Sequence, residues 1–241
     1  MNQLKLGKYL LKTPIVCGAV IGKNSDEMRA AIARAIRQGA DVIEIRFDAL
    51  EDQKGWDRLI RKDIPIIFTN RSRKEGGFFR GSEEKRIDLI LEAIQRGVSC
   101  VDMELSTPEK LRERVVSEAK RSGVSVLISC HDFSKTPSLD VMIDFVKKMA
   151  DAGCDLAKVV TFAKSSADAL RIIDFLVQVQ DEVTVPVIAF AMGDAGTITR
   201  ITAPIFGSPL TYANAGKPTA PGQLDVAETK KLLQKLMPKE R

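Results

Sequence analysis

Two side chains in this sequence are placed where they could do chemistry. His131 is the only histidine in the chain and closes the strand-like run SVLISCHDF that begins at Ser125. Lys158 interrupts a second run, CDLAKVVTFA, among alanines, valines and leucine. Lysine rarely belongs in a run that reads as a buried strand, because taking its ammonium out of water is costly. An apolar interior favours the neutral amine over the ammonium, and a neutral amine is a nucleophile toward carbonyl carbon. Imine chemistry also needs a proton shuttle beside the amine, a role that imidazole fills. The ordinary alternatives are a hydrogen-bonded structural histidine and a partly buried lysine paired with a carboxylate.

Alternation along a strand decides what these residues can share. Side chains at i and i+2 lie on one face and neighbours lie on opposite faces. Cys130, His131 and Asp132 are therefore no nucleophile–base–acid row, and Cys130 reads as packing. The same rule puts Glu44, Arg46 and Asp48 on one face of a strand, with Ile43, Ile45 and Phe47 on the other. Asp102 and Glu104 oppose Val101, Met103 and Leu105 in the same way. In a barrel the apolar faces meet the surrounding helices, which leaves the carboxylates and the arginine pointing inward.

The elements that must position these groups are punctuated by glycine. Gly39, Gly97, Gly123 and Gly153 each end a helical pattern shortly before a strand, where glycine accepts the left-handed conformation that stops a helix. Strands are expected at 15–21, 41–48, 65–70, 99–105, 125–132, 156–163, 186–192 and 210–214. Helices are expected at 25–38, 54–62, 82–96, 108–122, 138–152, 165–180, 196–203 and 225–236. Regular alternation implies a parallel sheet, and units of about 30 residues suit a (β/α)8 TIM barrel. Residues 3–12 read as a short N-terminal β-hairpin turning at Gly7-Lys8. No linker divides the chain, so 1–241 reads as one barrel domain. A doubly wound open sheet would carry a glycine-rich phosphate loop after its first strand, and Val20-Ile21-Gly22-Lys23-Asn24 has neither that nor a P-loop lysine.

Composition narrows the partners. A net charge of +5 is spread along the chain and aromatics are 5% of it, so nucleic acid is not expected. Cys17, Cys100, Cys130 and Cys154 form no CxxC pair, which reads as reduced packing thiols with no disulfide frame and no metal site. Lys5, Lys8 and Lys12 break up any signal-like apolar stretch at the N-terminus, and no run has membrane-spanning length. A soluble cytoplasmic protein is expected.

Taken together the residues resemble type I 3-dehydroquinate dehydratases over nearly the whole length. The resemblance rests on EIRFD at 44–48, FFRGSEEKR around Arg80, VDMEL at 101–105, SCHDF at 129–133, LAKVVTFA at 156–163, AFAMG at 189–193 and APGQ at 220–223. It implies a Schiff-base (β/α)8 barrel that dehydrates 3-dehydroquinate to 3-dehydroshikimate in the shikimate pathway, without metal or cofactor, as a homodimer. By the same resemblance Lys158 matches the imine-forming lysine and His131 the general acid/base. Glu84 matches the carboxylate that orients the histidine. Glu44, Arg46 and Arg80 match groups on the substrate hydroxyls, and Arg200 in TITRI matches the arginine on the substrate carboxylate. Gln223 matches the residue that closes over the site, on a Gly- and Pro-rich stretch at 213–223 that resembles a lid.

Two positions depart from the expected pattern. Thr219 stands where serine is expected, which keeps a hydroxyl for substrate binding, and Tyr212 stands for phenylalanine, which adds one to the pocket. Two other functions fit part of the residue set. A class I aldolase would share Lys158 and commonly bind phosphate near strands seven and eight, for which Gly193-Asp194-Ala195-Gly196 is a weak candidate. A non-catalytic barrel would bind small carboxylates through Arg200 and Arg46.

Overall fold

Strand and helix alternate from Ile15 onward in the order that the glycine punctuation predicts. The structure, a computed structural model, describes residues 3–237, so residues 1–2 and 238–241 of the domain expected over 1–241 lie outside the described residues. A hairpin of β1 (Gln3–Leu6) and β2 (Tyr9–Lys12) comes first. Then follow β3 (Ile15–Val20), α1 (Ser25–Arg37), β4 (Val42–Arg46), β5 (Ile66–Thr69), α2 (Glu83–Gln95), β6 (Cys100–Glu104), α3 (Glu109–Ser122) and β7 (Ser125–His131). The chain continues through α4 (Leu139–Asp151), β8 (Leu156–Phe162), α5 (Ser166–Gln178), β9 (Val187–Met192), α6 (Thr199–Thr202), β10 (Leu210–Asn214) and α7 (Val226–Leu236). The eight strands β3–β10 pair in parallel in the order β10-β3-β4-β5-β6-β7-β8-β9 and form a nearly closed (β/α)8 barrel.

Local chemistry fixes the helix ends. The Asn24 side chain accepts from the backbone N–H groups of Asp26 and Glu27 at the start of α1, and Ser165 with Asp168 makes a capping box on α5. Gly39, Gly97, Gly123 and Gly153 all have positive φ, as their places after helices require.

Two expected elements differ. In place of a helix over 54–62 there is a single 3₁₀ turn at Trp56–Leu59. It starts from a left-handed Gly55, and Pro65 lies shortly beyond it, which limits a longer helix. The Trp56 ring fills the space instead, 5.2 Å from Phe47 and 5.3 Å from Phe68 between ring centroids. The region expected as helix 196–203 is broken into the short α6 with 3₁₀ turns on either side.

Alternation produces two cores. Ile43, Ile45, Val101, Met103, Ile128 and Val159 face outward into the layer between barrel and helices. Ile15, Val42, Ile67, Cys100, Leu127 and Leu156 face inward, with Leu4 and Leu6 of the hairpin packed beneath them. The hairpin closes the N-terminal mouth, and Gly7 N–H donates to Ser125 Oγ at 2.9 Å to hold it there. Moving up the barrel, the inward rows of β4, β6, β7 and β8 turn from apolar to polar: Val42 to Glu44, Cys100 to Asp102, Leu127 to Ser129, Leu156 to Lys158. The polar end of the barrel interior is thus its C-terminal end, the end at which barrels generally carry their sites. No helix among the described residues is long and apolar enough to cross a membrane.

Candidate active site

Lys158 and His131 project into the same cavity from adjacent strands. The β7–β8 register pairs Ser129 with Lys158 and His131 with Val160, so the imidazole stands one inward position above the amine. The cavity holds about 100 Å³ and is bounded by Glu44, Arg46, Arg71, Arg200 and Gln223 as well as by these two residues.

The amine is not in apolar surroundings, contrary to the expectation from its flanking sequence. Lys158 Nζ is ion-paired with Asp102 and lies 3.9 Å from Glu44 Oε1. The sequence showed these carboxylates on inward faces, but alternation alone does not reveal which cation they meet. Tyr212 adds its ring, 4.6 Å from Nζ, and its hydroxyl, 3.5 Å away. Asp102 is itself braced by Arg71 Nη2 at 2.7 Å and by Ser129 Oγ at 2.6 Å. Burial pushes the Asp102 carboxyl up, but the charges of Arg71 and Lys158 overcome this and hold it well below the usual carboxylate range. Glu44 accepts a hydrogen bond from Thr69 Oγ1 at 2.8 Å. Arg46 forms a two-pronged pair with Asp48, at 3.0 and 2.8 Å, although the strand ends at Arg46 and Asp48 lies in a 3₁₀ turn.

The carboxylate on the histidine is Glu75 and not Glu84. His131 Nδ1 lies 2.9 Å from Glu75 Oε2, whereas Glu84 is exposed in the first turn of α2. Arg80 is likewise outside the cavity: it is exposed and lines an open groove of about 960 Å³ with Lys23, Phe78 and Lys217. Arg71 is the arginine of this loop that reaches the interior. The backbone gives the reason. Inward positions continue past β5 from Ile67 and Thr69 to Arg71, and Glu75 follows in a short 3₁₀ turn. Gly76 then takes φ +77°, and Gly77 packs so closely on the Arg71 carbonyl that a Cβ there would sit 1.9 Å from its oxygen. The chain turns away from the barrel before Arg80. Arg71 and Glu75 were missed because FFRGSEEKR offers the same residue types a few positions later. The i+2 continuation beyond Thr69 was the available signal.

Burial and charge set the protonation of the pair. Burial pushes Glu75 up to about 7, against the hydrogen bond from Ser106 and the charge of Arg71, which favour the anion. Burial, together with the positive charges of Arg71 and Lys158, keeps His131 well below its usual value. Neutral imidazole beside ionised Glu75 donates from Nδ1 and leaves Nε2 as an acceptor toward the cavity.

Arg200 enters from α6. It is buried, its guanidinium lies over the Phe190 ring at 4.5 Å, and Nη2 donates to the Pro221 carbonyl at 3.1 Å. Among the described residues no carboxylate pairs with it and its Nε has no partner, and burial pulls its pKa down to about 10. A buried cation in this state suits an incoming anion. Above it, the Thr219 N–H and hydroxyl both donate to Gln223 Oε1, at 2.7 and 3.0 Å. Gly222, at φ +71°, sits against Thr197 and the Gly193 carbonyl, so this segment is folded down over the cavity. It covers the Gly193–Gly196 turn that was a weak phosphate-loop candidate.

Cys130 faces the outer layer, and burial pushes its thiol up to about 12, in keeping with packing. Cys17, Cys100 and Cys154 are also free thiols. Among the described residues no group of three or more His, Cys, Asp or Glu is arranged to hold a metal ion.

Known proteins with this sequence pattern and fold agree with one another. The family model for type I 3-dehydroquinase matches residues 16–239. The 3-dehydroquinate dehydratase of Methanothermobacter thermautotrophicus is 40% identical over 228 residues, spanning 93% of this chain and 98% of that protein. The crystal structure of 3-dehydroquinate dehydratase from Geobacillus kaustophilus superposes with a TM-score of 0.91 at 28% identity, covering 98% of each chain. That of type I 3-dehydroquinate dehydratase from Clostridium difficile, with covalently modified comenic acid, gives 0.90 at 29% identity over 97% of each.

Proposed function

The chain belongs to the type I 3-dehydroquinase family, and we propose how its own residues dehydrate 3-dehydroquinate to 3-dehydroshikimate. The enzyme is a hydro-lyase. The observation that carries the reading is the meeting of Lys158, His131 and Arg200, which pairs with no carboxylate among the described residues, in one cavity.

The Arg200 guanidinium receives the substrate carboxylate, for which its planar fork offers two parallel hydrogen bonds. Glu44 and Arg46 take the ring hydroxyls. This places the C3 ketone at Lys158. Asp102 holds the amine in position, and once Lys158 has passed a proton to solvent water its lone pair adds to C3, the carbinolamine hydroxyl taking that proton back. Loss of water from the adduct gives an iminium. The iminium withdraws electrons from the C2–H bond, so imidazole Nε2 of His131 can remove that proton and leave an enamine. The enamine then expels the C1 hydroxyl, which takes the proton from His131 and departs as water. Water hydrolyses the conjugated iminium and frees Lys158. One water is released and one consumed at the lysine, so the net change is loss of the C2 proton and C1 hydroxyl as one water.

Thr219 and Gln223 close the site and limit access of water to the imine. A homodimer and a cytoplasmic location belong to the same reading, and light scattering on the purified protein tests the first. The reaction itself is tested by adding 3-dehydroquinate to the purified chain and following the ultraviolet absorbance of the conjugated product. Steady formation of that absorbance is expected. Its absence, with substrate shown to bind, would contradict the proposal and favour the carboxylate-binding barrel.

A further inference from the structure

The carboxylate beside His131 has a second anchor that the reaction scheme does not use. Ser106 Oγ donates to Glu75 Oε1 at 2.6 Å, while the other oxygen of Glu75 meets His131 Nδ1 at 2.9 Å. We propose that Ser106 is a positioning residue for proton transfer, anchoring Glu75 so that Glu75 fixes the imidazole tautomer with Nε2 free to accept the C2 proton. This rests on the reading of His131 as the base.

Ser106 is exposed to solvent on one side, but the turn that carries it is held through both of its neighbours. Leu105 N–H donates to the Ser129 carbonyl at 2.8 Å and Thr107 N–H to the Glu104 carbonyl at 3.1 Å. Arg112 Nη1 spans the carbonyls of Leu105 and Thr107 at 2.7 and 2.5 Å. Arg86 Nη2 reaches Thr107 Oγ1 at 2.8 Å. Glu75, by contrast, ends a short 3₁₀ turn and depends on its side-chain partners for its aim. A fixed donor facing a loop-borne carboxylate is the arrangement that orients such a group without reorganisation.

The charges around Glu75 make that anchor matter. Arg71 at the end of β5 favours the carboxylate, while Asp102 and Glu104 on β6 oppose it, and His131 on β7 is its hydrogen-bond partner. Ser106 is the neutral donor that helps Arg71 offset burial and the two carboxylates. Without it Glu75 would hold its proton to higher pH. A protonated Glu75 donates to Nδ1, which moves the imidazole proton to Nε2 and removes the acceptor that faces the substrate.

The test compares Ser106→Ala and Ser106→Thr with the unaltered full chain. The readouts are the pH profile of kcat/KM and the rate of borohydride trapping at Lys158. For Ser106→Ala the acid limb is expected to move up by about one pH unit, so turnover at pH 7 falls about fivefold, because one pKa unit is tenfold in the protonation equilibrium. KM should stay within about twofold and trapping should keep its rate, since neither the carboxylate site nor the amine is touched. Ser106→Thr, which keeps the hydroxyl, should restore the limb. An acid limb that superposes on that of the unaltered chain would overturn the proposal. So would an equal loss at every pH that threonine does not recover. Full turnover in His131→Ala would overturn both this proposal and the reading beneath it, a result distinct from an unmoved limb.

Discussion

His131 stands one inward position above Lys158 on the neighbouring strand, because the register aligns Ser129 with Lys158 and His131 with Val160. Parallel strands lie about 4.8 Å apart, so a substrate carbon bonded to the amine has its next carbon within reach of the imidazole. This relationship separates two roles that the variants should resolve. In the proposed scheme Lys158 makes the bond, and His131 moves the proton at the adjacent carbon. His131→Ala is expected to lose roughly 10²–10⁴-fold in kcat, the usual worth of a general acid/base, yet still form the lysine adduct. Single-turnover mass spectrometry measures that adduct; near-normal turnover in the variant would remove His131 from its role.

Activity should fall as pH drops through about 7, the value to which burial raises Glu75. The sign follows from the tautomer. Above that pH Glu75 is ionised and accepts from Nδ1; below it the acid donates to Nδ1 and Nε2 is no longer a base. Because burial also keeps His131 well below its usual value, the imidazole adds no competing limb near neutrality. A kcat/KM profile flat from pH 8 to about pH 5 would contradict this assignment.

Arg200 is expected to act mainly in binding. Arg200→Lys keeps a charge but loses the two-pronged geometry, and KM should rise about ten- to a hundredfold, in line with a lost hydrogen bond between charged groups. Lys158 should remain trappable when substrate is raised to match. A change in kcat with KM untouched would place Arg200 elsewhere in the reaction.

The loop after β5 gives the clearest contrast between neighbours. Arg71 lies between Asp102 and Glu104, at 2.7 and 3.1 Å, with all three buried. Arg71→Ala should therefore abolish activity and lower stability by about 3–5 kcal/mol, because Asp102 is left with Lys158 alone and Glu104 with Arg86 alone in a buried site. Arg80→Ala and Glu84→Ala alter exposed side chains and should leave kcat/KM within about threefold and the melting temperature nearly unchanged. Chemical denaturation with parallel kinetics distinguishes them. A severe loss in Arg80→Ala alone would return that residue to the site.

That contrast also marks where sequence and structure part. Strand positions were legible because glycine ends several helices and alternation separates Ile43 and Ile45 from Glu44 and Arg46. Lys158, His131 and Arg200, which line one cavity, stand out in the sequence because each is out of keeping with its surroundings or sits in a specific motif. The carboxylate beside His131 was not legible in the same way. Its position depends on the backbone reversal at Gly76-Gly77, which carries Arg80 and Glu84 outward and leaves Arg71 and Glu75 facing in. The ion pair of Lys158 with Asp102 was no more legible: it joins β6 to β8 across β7, and the register sets Glu104 level with Ser129 and Lys158, so the partner lies one inward position lower. The short turn at Trp56 escaped notice because a large aromatic ring can fill the place of a helix.

The most direct measurement is borohydride reduction of the enzyme during turnover of 3-dehydroquinate, followed by mass spectrometry of the digest. The account predicts one reduced adduct, on the peptide carrying Lys158, and none in Lys158→Ala, whose turnover should fall by on the order of 10⁴-fold or more. An adduct on another lysine, or sustained turnover in Lys158→Ala, would contradict it.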